Sequence, residues 1–156
     1  MQSKHARLVI VSASTSHASG TRIPAKDAYT SYQFQRRRTY AERFGTGWLI
    51  FSAVHGLLAP ETEIDPRYAP TRWIQVSSGT LTDQLRSNRA AEFDLIELIA
   101  GRDYLDALRG PAQELGLRLT APLVGRAAGM GEQTFLIAWR LRVGVPFDPL
   151  DDHGVA

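Results

Sequence analysis

The chain has 156 residues, of which 44% are hydrophobic and 22% charged, with a formal net charge of +2. That length suggests one domain with room for a single core, and that balance reads as an ordinary globular protein rather than a disordered or fibrous one. Cysteine is absent, which excludes a disulfide framework, a thiolate nucleophile and a cysteine zinc site.

Four histidines (His5, His17, His55, His153) have no close pair at helical or finger spacing, so a structural metal is not expected, and no cofactor is expected either. No uninterrupted apolar run approaches the roughly 20 residues that span a bilayer, and Met1-Gln2-Ser3-Lys4-His5 leads into a short strand rather than a signal-peptide core. These features suggest a cytoplasmic protein. Charge is unevenly placed. Residues 1–72 hold ten Lys/Arg against five Asp/Glu, or +5, and residues 73–156 hold eight against eleven, or −3. The first half is the side to turn toward a polyanion.

In chain order, Arg7 to Ala13 is a short β-branched run, followed by a Ser/Thr/Gly loop through Thr21. From about Asp27 to Phe44 the pattern is helical, with Ala28, Tyr32, Tyr40 and Phe44 inward and Arg36-Arg37-Arg38 mostly outward. Gly45 and Gly47 close it. Trp48 to Ala53 forms a second strand, and the loop beyond it carries Pro60, Pro66 and Pro70, so it is irregular over much of its length. A helix from Thr80 to about Ala91, capped by Thr80 or Thr82, leads to a third strand over Phe93–Ala100. Arg102 to Leu115 is a helix closed by Gly116, Leu117 to Ala121 a fourth strand, and Gly131 to Leu141 a last helix. The tail after Pro146 is expected to fray.

Strands separated by helices imply parallel pairing with right-handed crossovers. The expected fold is a single small three-layer α/β domain, with a mostly parallel sheet of about four or five strands flanked by helices. The run Trp48-Leu49-Ile50-Phe51 is apolar on both faces, so Ser52, His55 and the acids Glu61, Glu63 and Asp65 leave from its carboxyl end, where open α/β sheets keep their ligand sites. Gly125, Gly129 and Gly131 ahead of Glu132-Gln133 suggest backbone close to a ligand at a helix N-terminus, which attracts anions.

Several stretches carry a resemblance: PAKDAYTSYQF, RRRTYAERFGTGWLIFSAVHGLLAPETEIDPRY, LIAGRDYLDALR and PLVGRAAGMGEQ. In this order, over roughly residues 7–140, they resemble a bacterial and phage family with a "PA-x-x-LY-x-S-x-x-F" loop and an "SA-x-HGLL-x-P" strand end. Its other marks are an "AG-x-x-Y" turn and a late "P-L-x-G-x-x-x-G-x-x-Q" segment. That family is similar in turn to the peroxide-stress protein YaaA and to the lysine-transferring domain of archaeosine synthase, whose relatives act on nucleobases or nucleic acids. Relatives usually follow the first strand with "C-S-x-x-K", where this chain has Ser12-Ala13-Ser14-Thr15-Ser16-His17. Transfer through that lysine is therefore not expected, and hydrolysis by an activated water is.

The resemblance implies the fold and brings no settled activity with it; from the candidate residues, the first reading is a DNA glycosylase that excises a modified nucleobase, which fits a role against phages with modified genomes. Its rival is a non-catalytic nucleic-acid or nucleotide-binding module. For excision, Asp27 or Asp65 would stabilise the oxocarbenium-like state and aim water, and His55 would protonate the departing base. The substrate, its base flipped out, would meet Ser12, Ser14, Ser16, His17, Tyr29, Ser31, Ser52, Gly56, Tyr68 and Gln133, with the Ser12–Ser16 loop and Arg37 holding phosphates. Lys26, Arg37 and Arg43 would hold the DNA backbone. The plainer roles are first-turn charge for Asp27, core for Tyr29, a structural loop for His55 and solvated acids for Glu61, Glu63 and Asp65.

Overall fold

The computed structural model describes residues 6–14, 21–66, 73–127 and 129–149, and within them seven strands and five helices. The strands are β1 (Arg7–Ser12), β2 (Ile23–Pro24), β3 (Gly47–Ser52), β4 (Gly56–Leu58), β5 (Glu63–Ile64), β6 (Leu95–Ile99) and β7 (Leu119–Thr120). The helices are α1 (Ala25–Ala28), α2 (Tyr32–Phe44), α3 (Ser78–Ser87), α4 (Arg102–Glu114) and α5 (Met130–Val143).

Five strands form one sheet in the order β4-β3-β1-β6-β7, parallel except for β4, which runs antiparallel to β3. The apolar runs of β1, β3 and β6 are buried because both faces are covered. On one face Leu8, Ile10, Leu49, Phe51, Ile96 and Leu98 pack with Leu81 and Leu85 of α3 and Leu105 and Leu108 of α4. On the other, Val9, Val11, Ile50 and Ile99 pack with Phe34, Tyr40 and Ala41 of α2 and Ile137 of α5. The expected three-layer α/β architecture is therefore the observed one.

Chain direction then fixes where a ligand crevice opens. From β1 the chain crosses through α2 to β3 on one side, while β6, on the other side of β1, leads through α4 to β7. The loops leaving β1 and β6 turn to opposite faces, which parts them at the carboxyl edge of the sheet.

Five local readings change. The helix expected over 27–44 is two: the chain extends at Tyr29, and α2 restarts behind Ser31, whose Oγ accepts the Phe34 amide hydrogen at 3.1 Å. Inside α2 the inward positions are Phe34, Arg37, Tyr40 and Ala41, while Tyr32 is exposed. The proline-bearing loop holds β4 and β5, the latter paired antiparallel with β2, and the cap of α3 is Ser77 rather than Thr80 or Thr82. The segment after Pro146 is not frayed at its start. Phe147 is buried against Tyr40, and its amide donates to the Tyr40 hydroxyl at 3.0 Å.

Candidate functional site

Buried polar groups collect at the carboxyl edge of β1 and β3. Ser52 ends β3 with its side chain buried, and its Oγ accepts the amide hydrogens of Val54 (3.2 Å) and His55 (3.1 Å), folding the exit turn back on the strand. The same side chain hydrogen-bonds the buried Tyr29 phenol. Burial, chiefly, raises the pKa of that phenol, and the Ser52 contact works against the rise, as a hydroxyl donated to the phenol oxygen does. Tyr104, in the first turn of α4, packs its ring edgewise on Phe51 at 4.9 Å between centroids, and burial raises its pKa as well.

Arg37 completes the cluster from below. It is 1% exposed, lying on the core face of α2 between Phe34 and Ala41. Its Nε donates to the Ser12 carbonyl at 3.1 Å and one terminal nitrogen to the Met130 sulfur at 3.5 Å. Among the described residues no carboxylate pairs with it. Burial lowers its pKa to about 10, with the Tyr104 phenol acting in the opposite sense, so it remains a cation at neutral pH. The expectation that Arg37 faces mostly outward is thus corrected: its guanidinium lies on the buried face of α2, out of reach of a phosphate that stays on a duplex surface. The signal lay in the spacing, since Phe34, Arg37 and Ala41 fall at i, i+3 and i+7, one face of a helix.

Other expected residues divide. Gln133 reaches the site: a Cβ placed on Gly101, the residue that opens α4, would lie 3.6 Å from the Gln133 side-chain nitrogen. Ser12 contributes its carbonyl and is buried, and Ser14 is half-buried beyond it. His55 is half-buried, with its backbone held on both sides, the amide by Ser52 and the carbonyl by Gln84 Nε2 at 2.9 Å. Gly56 packs closely against Gln84. Its φ is +76°, and an added Cβ would fall 2.2 Å from Gln84 Oε1, so its bareness makes room for the Gln84 side chain that clamps this turn. The Ser31 hydroxyl caps α2.

Asp27 lies outward, its half-exposed carboxylate 3.2 Å from Arg38, which also bonds the Lys26 carbonyl and Glu42. Lys26 is paired with Glu61 at 2.5 Å, and that contact raises its pKa. Arg43, near the end of α2, donates to the Leu141 carbonyl at 2.5 Å and lies at the opposite end of α2 from the crevice, so it does not join Lys26 and Arg37 in one backbone-binding face. Asp65 is half-buried just after β5. Ser16, His17 and Tyr68 lie outside the described residues.

The sequence reading missed two groups. Tyr104 stands in the "AG-x-x-Y" turn, where its motif already marked it. Glu97, buried in the middle of β6, binds Arg7 at 2.6 Å and the Tyr40 hydroxyl at 2.7 Å, away from the crevice and toward the amino edge of the sheet. Among the described residues, no group of three or more His, Asp or Glu is placed to hold a metal ion, and no helix is long and apolar enough to cross a membrane.

The chain belongs to a family of unknown function, DUF6884, whose pattern matches residues 8–138. No curated protein and no solved structure is significantly similar to it.

Proposed function

We propose that this DUF6884 member is an N-glycosidase that excises a modified nucleobase from DNA. The observation that supports this reading most is the meeting of Tyr29, Ser52 and Tyr104 at the carboxyl edge of the sheet, beside the crevice between β1 and β6. Aromatic rings with hydroxyl groups suit a planar base, which they can stack against and hydrogen-bond.

In this reaction the bond between the anomeric carbon and the base nitrogen breaks as water adds to that carbon. The electron pair leaves with the base, His55 supplies a proton to it, and the water proton passes to a carboxylate. Asp65 fits that carboxylate role better than Asp27, because Asp27 faces outward into the Arg38 pair. No cofactor enters the scheme, the partner is DNA, and the compartment is the cytoplasm, where modified phage genomes are met.

The test is incubation of purified protein with unmodified DNA and with hypermodified phage DNA, followed by mass spectrometry of released base and alkaline cleavage at abasic sites. Free base with an alkali-labile strand, and no borohydride-trapped complex, is the expected result. Binding of DNA without release of base from any substrate would leave the non-catalytic binding module, a reading that the engagement of Asp27 by Arg38 favours.

A further inference from the structure

Two helices begin beside Arg37. The first, α4, opens at Gly101 and the second, α5, at Gly129; neither has a side-chain cap, and they run 13 and 14 residues. Their first turns adjoin, since the Gln133 amide of α5 lies against Gly101. The Arg37 guanidinium lies between them, bonded to Met130 at the start of α5 and electrostatically coupled to Tyr104 in the first turn of α4. Around Gly129 and Gly131 a Cβ would meet nothing within 4 Å. The first-turn acids, Asp103 and Glu132, are both exposed.

A buried cation without a counter-ion is costly to the fold, and free amide hydrogens at a helix start carry partial positive charge. Here one such cation and two such helix starts converge at the crevice where the sheet's connections diverge. Each element alone would be unremarkable; together they concentrate positive potential at the crevice, where the first-turn acids are exposed and no carboxylate among the described residues pairs with Arg37.

We propose that Arg37, with the first-turn amides of α4 and α5, forms an anion subsite that takes a phosphate group of the substrate nucleotide. The identity of the substrate rests on the glycosidase reading, but the subsite can be tested without it. A guanidinium held by Ser12 and Met130 at two of its nitrogens retains donors for phosphate oxygens, and phosphate is the anion that two convergent helix starts suit. The nearly complete burial of Arg37 favours a phosphate that enters the crevice rather than one that stays on a duplex surface.

The experiment is thermal unfolding of the full chain in phosphate-free buffer, then with inorganic phosphate, a deoxynucleoside 5′-monophosphate, the matching nucleoside and a short single-stranded oligonucleotide. Every phosphate-bearing probe that fits should raise Tm by a few degrees, as mass action requires at about ten times Kd, and the nucleoside should not. A nucleotide arm stronger than the oligonucleotide arm identifies a free nucleotide as the source, and the reverse identifies the strand. Arg37→Met should unfold at an equal or higher temperature than the native protein without phosphate, and lose the phosphate shift. Arg37→Lys should keep a smaller one.

If Arg37→Met does not fold, phosphate titration of the native protein by amide NMR decides: shifts confined to residues 102–104 and 130–132 support the subsite, and shifts elsewhere or none overturn it. A full phosphate shift in Arg37→Met also overturns it. Phosphate binding without base release would sink the glycosidase reading alone, and base release indifferent to Arg37→Met would sink the subsite alone.

Discussion

Arg37 donates its Nε hydrogen to the carbonyl oxygen of Ser12, 3.1 Å away, so the last residue of the central strand and the middle of α2 are tied by a buried charge. A lysine at that place would bring one flexible ammonium instead of a planar fork and could not keep the Ser12 and Met130 contacts while reaching a ligand. Arg37→Lys should therefore lower base release at least tenfold while leaving the far-ultraviolet circular dichroism spectrum unchanged. A variant with native activity would detach Arg37 from the chemistry.

His55 is held by its backbone, with Ser52 on the amide and Gln84 on the carbonyl. Removing the imidazole should leave the turn standing. His55→Ala is expected to fold with native stability and to lose activity by roughly 10²–10⁴-fold, the usual contribution of an acid–base group. Single-turnover rates on modified DNA check this, and an undiminished rate removes His55 from proton transfer.

Gly56→Ala should behave in the opposite way. Its φ of +76° strains any residue with a Cβ, and the Gln84 amide stands 2.2 Å from where that carbon would be. Displacing Gln84 would free the Leu57 amide and the His55 carbonyl, both now hydrogen-bonded to it. Strain plus lost buried hydrogen bonds should cost about 2–4 kcal/mol, read as a lower urea midpoint, with activity falling because the His55 turn moves.

At alkaline pH the Tyr40 phenol governs a second expectation. Burial, then the Glu97 carboxylate and the hydrogen bond to it, raise its pKa well above the ordinary tyrosine value. The folded chain therefore binds this proton more tightly than the unfolded chain, whose tyrosine titrates near pH 10. Its contribution is fully present below about pH 10 and is lost as pH rises toward the folded value. Arg37, with its pKa lowered to about 10, acts in the other direction above that pH. Urea midpoints from pH 8 to 11 should thus fall more steeply in the native protein than in Tyr40→Phe. Parallel curves would mean that the phenol does not set the slope.

Much of the fold was legible because period and punctuation agreed. The β-branched run at Leu8–Val11, the apolar run at Leu49–Phe51 and the glycine after α4 each pointed to the element that forms. The break at Tyr29–Ser31 was harder, since helical spacing continues across it and only Ser31's capping bond announces the restart.

Within the site, Tyr29, Ser52 and Gln133 were readable from their motifs, whereas Arg37 was not. Three adjacent arginines look like a solvated face, and only the spacing to Phe34 and Ala41 shows that the middle one turns inward. Glu97 was hidden for a similar reason. A lone acid in an apolar strand gives no hint of partners 57 and 90 residues away.

The margins of the sheet carry one more consequence. At one side stands β4, three residues long, and at the other β7, with two. A neighbouring chain that tried to extend the sheet would find few free backbone groups in register on either strand, too few to nucleate intermolecular pairing. The long apolar strands β1, β3 and β6, which would template aggregation if uncovered, lie inside these short outer members. The arrangement makes the native state resistant to strand-by-strand self-association and concentrates that hazard in the unfolded chain.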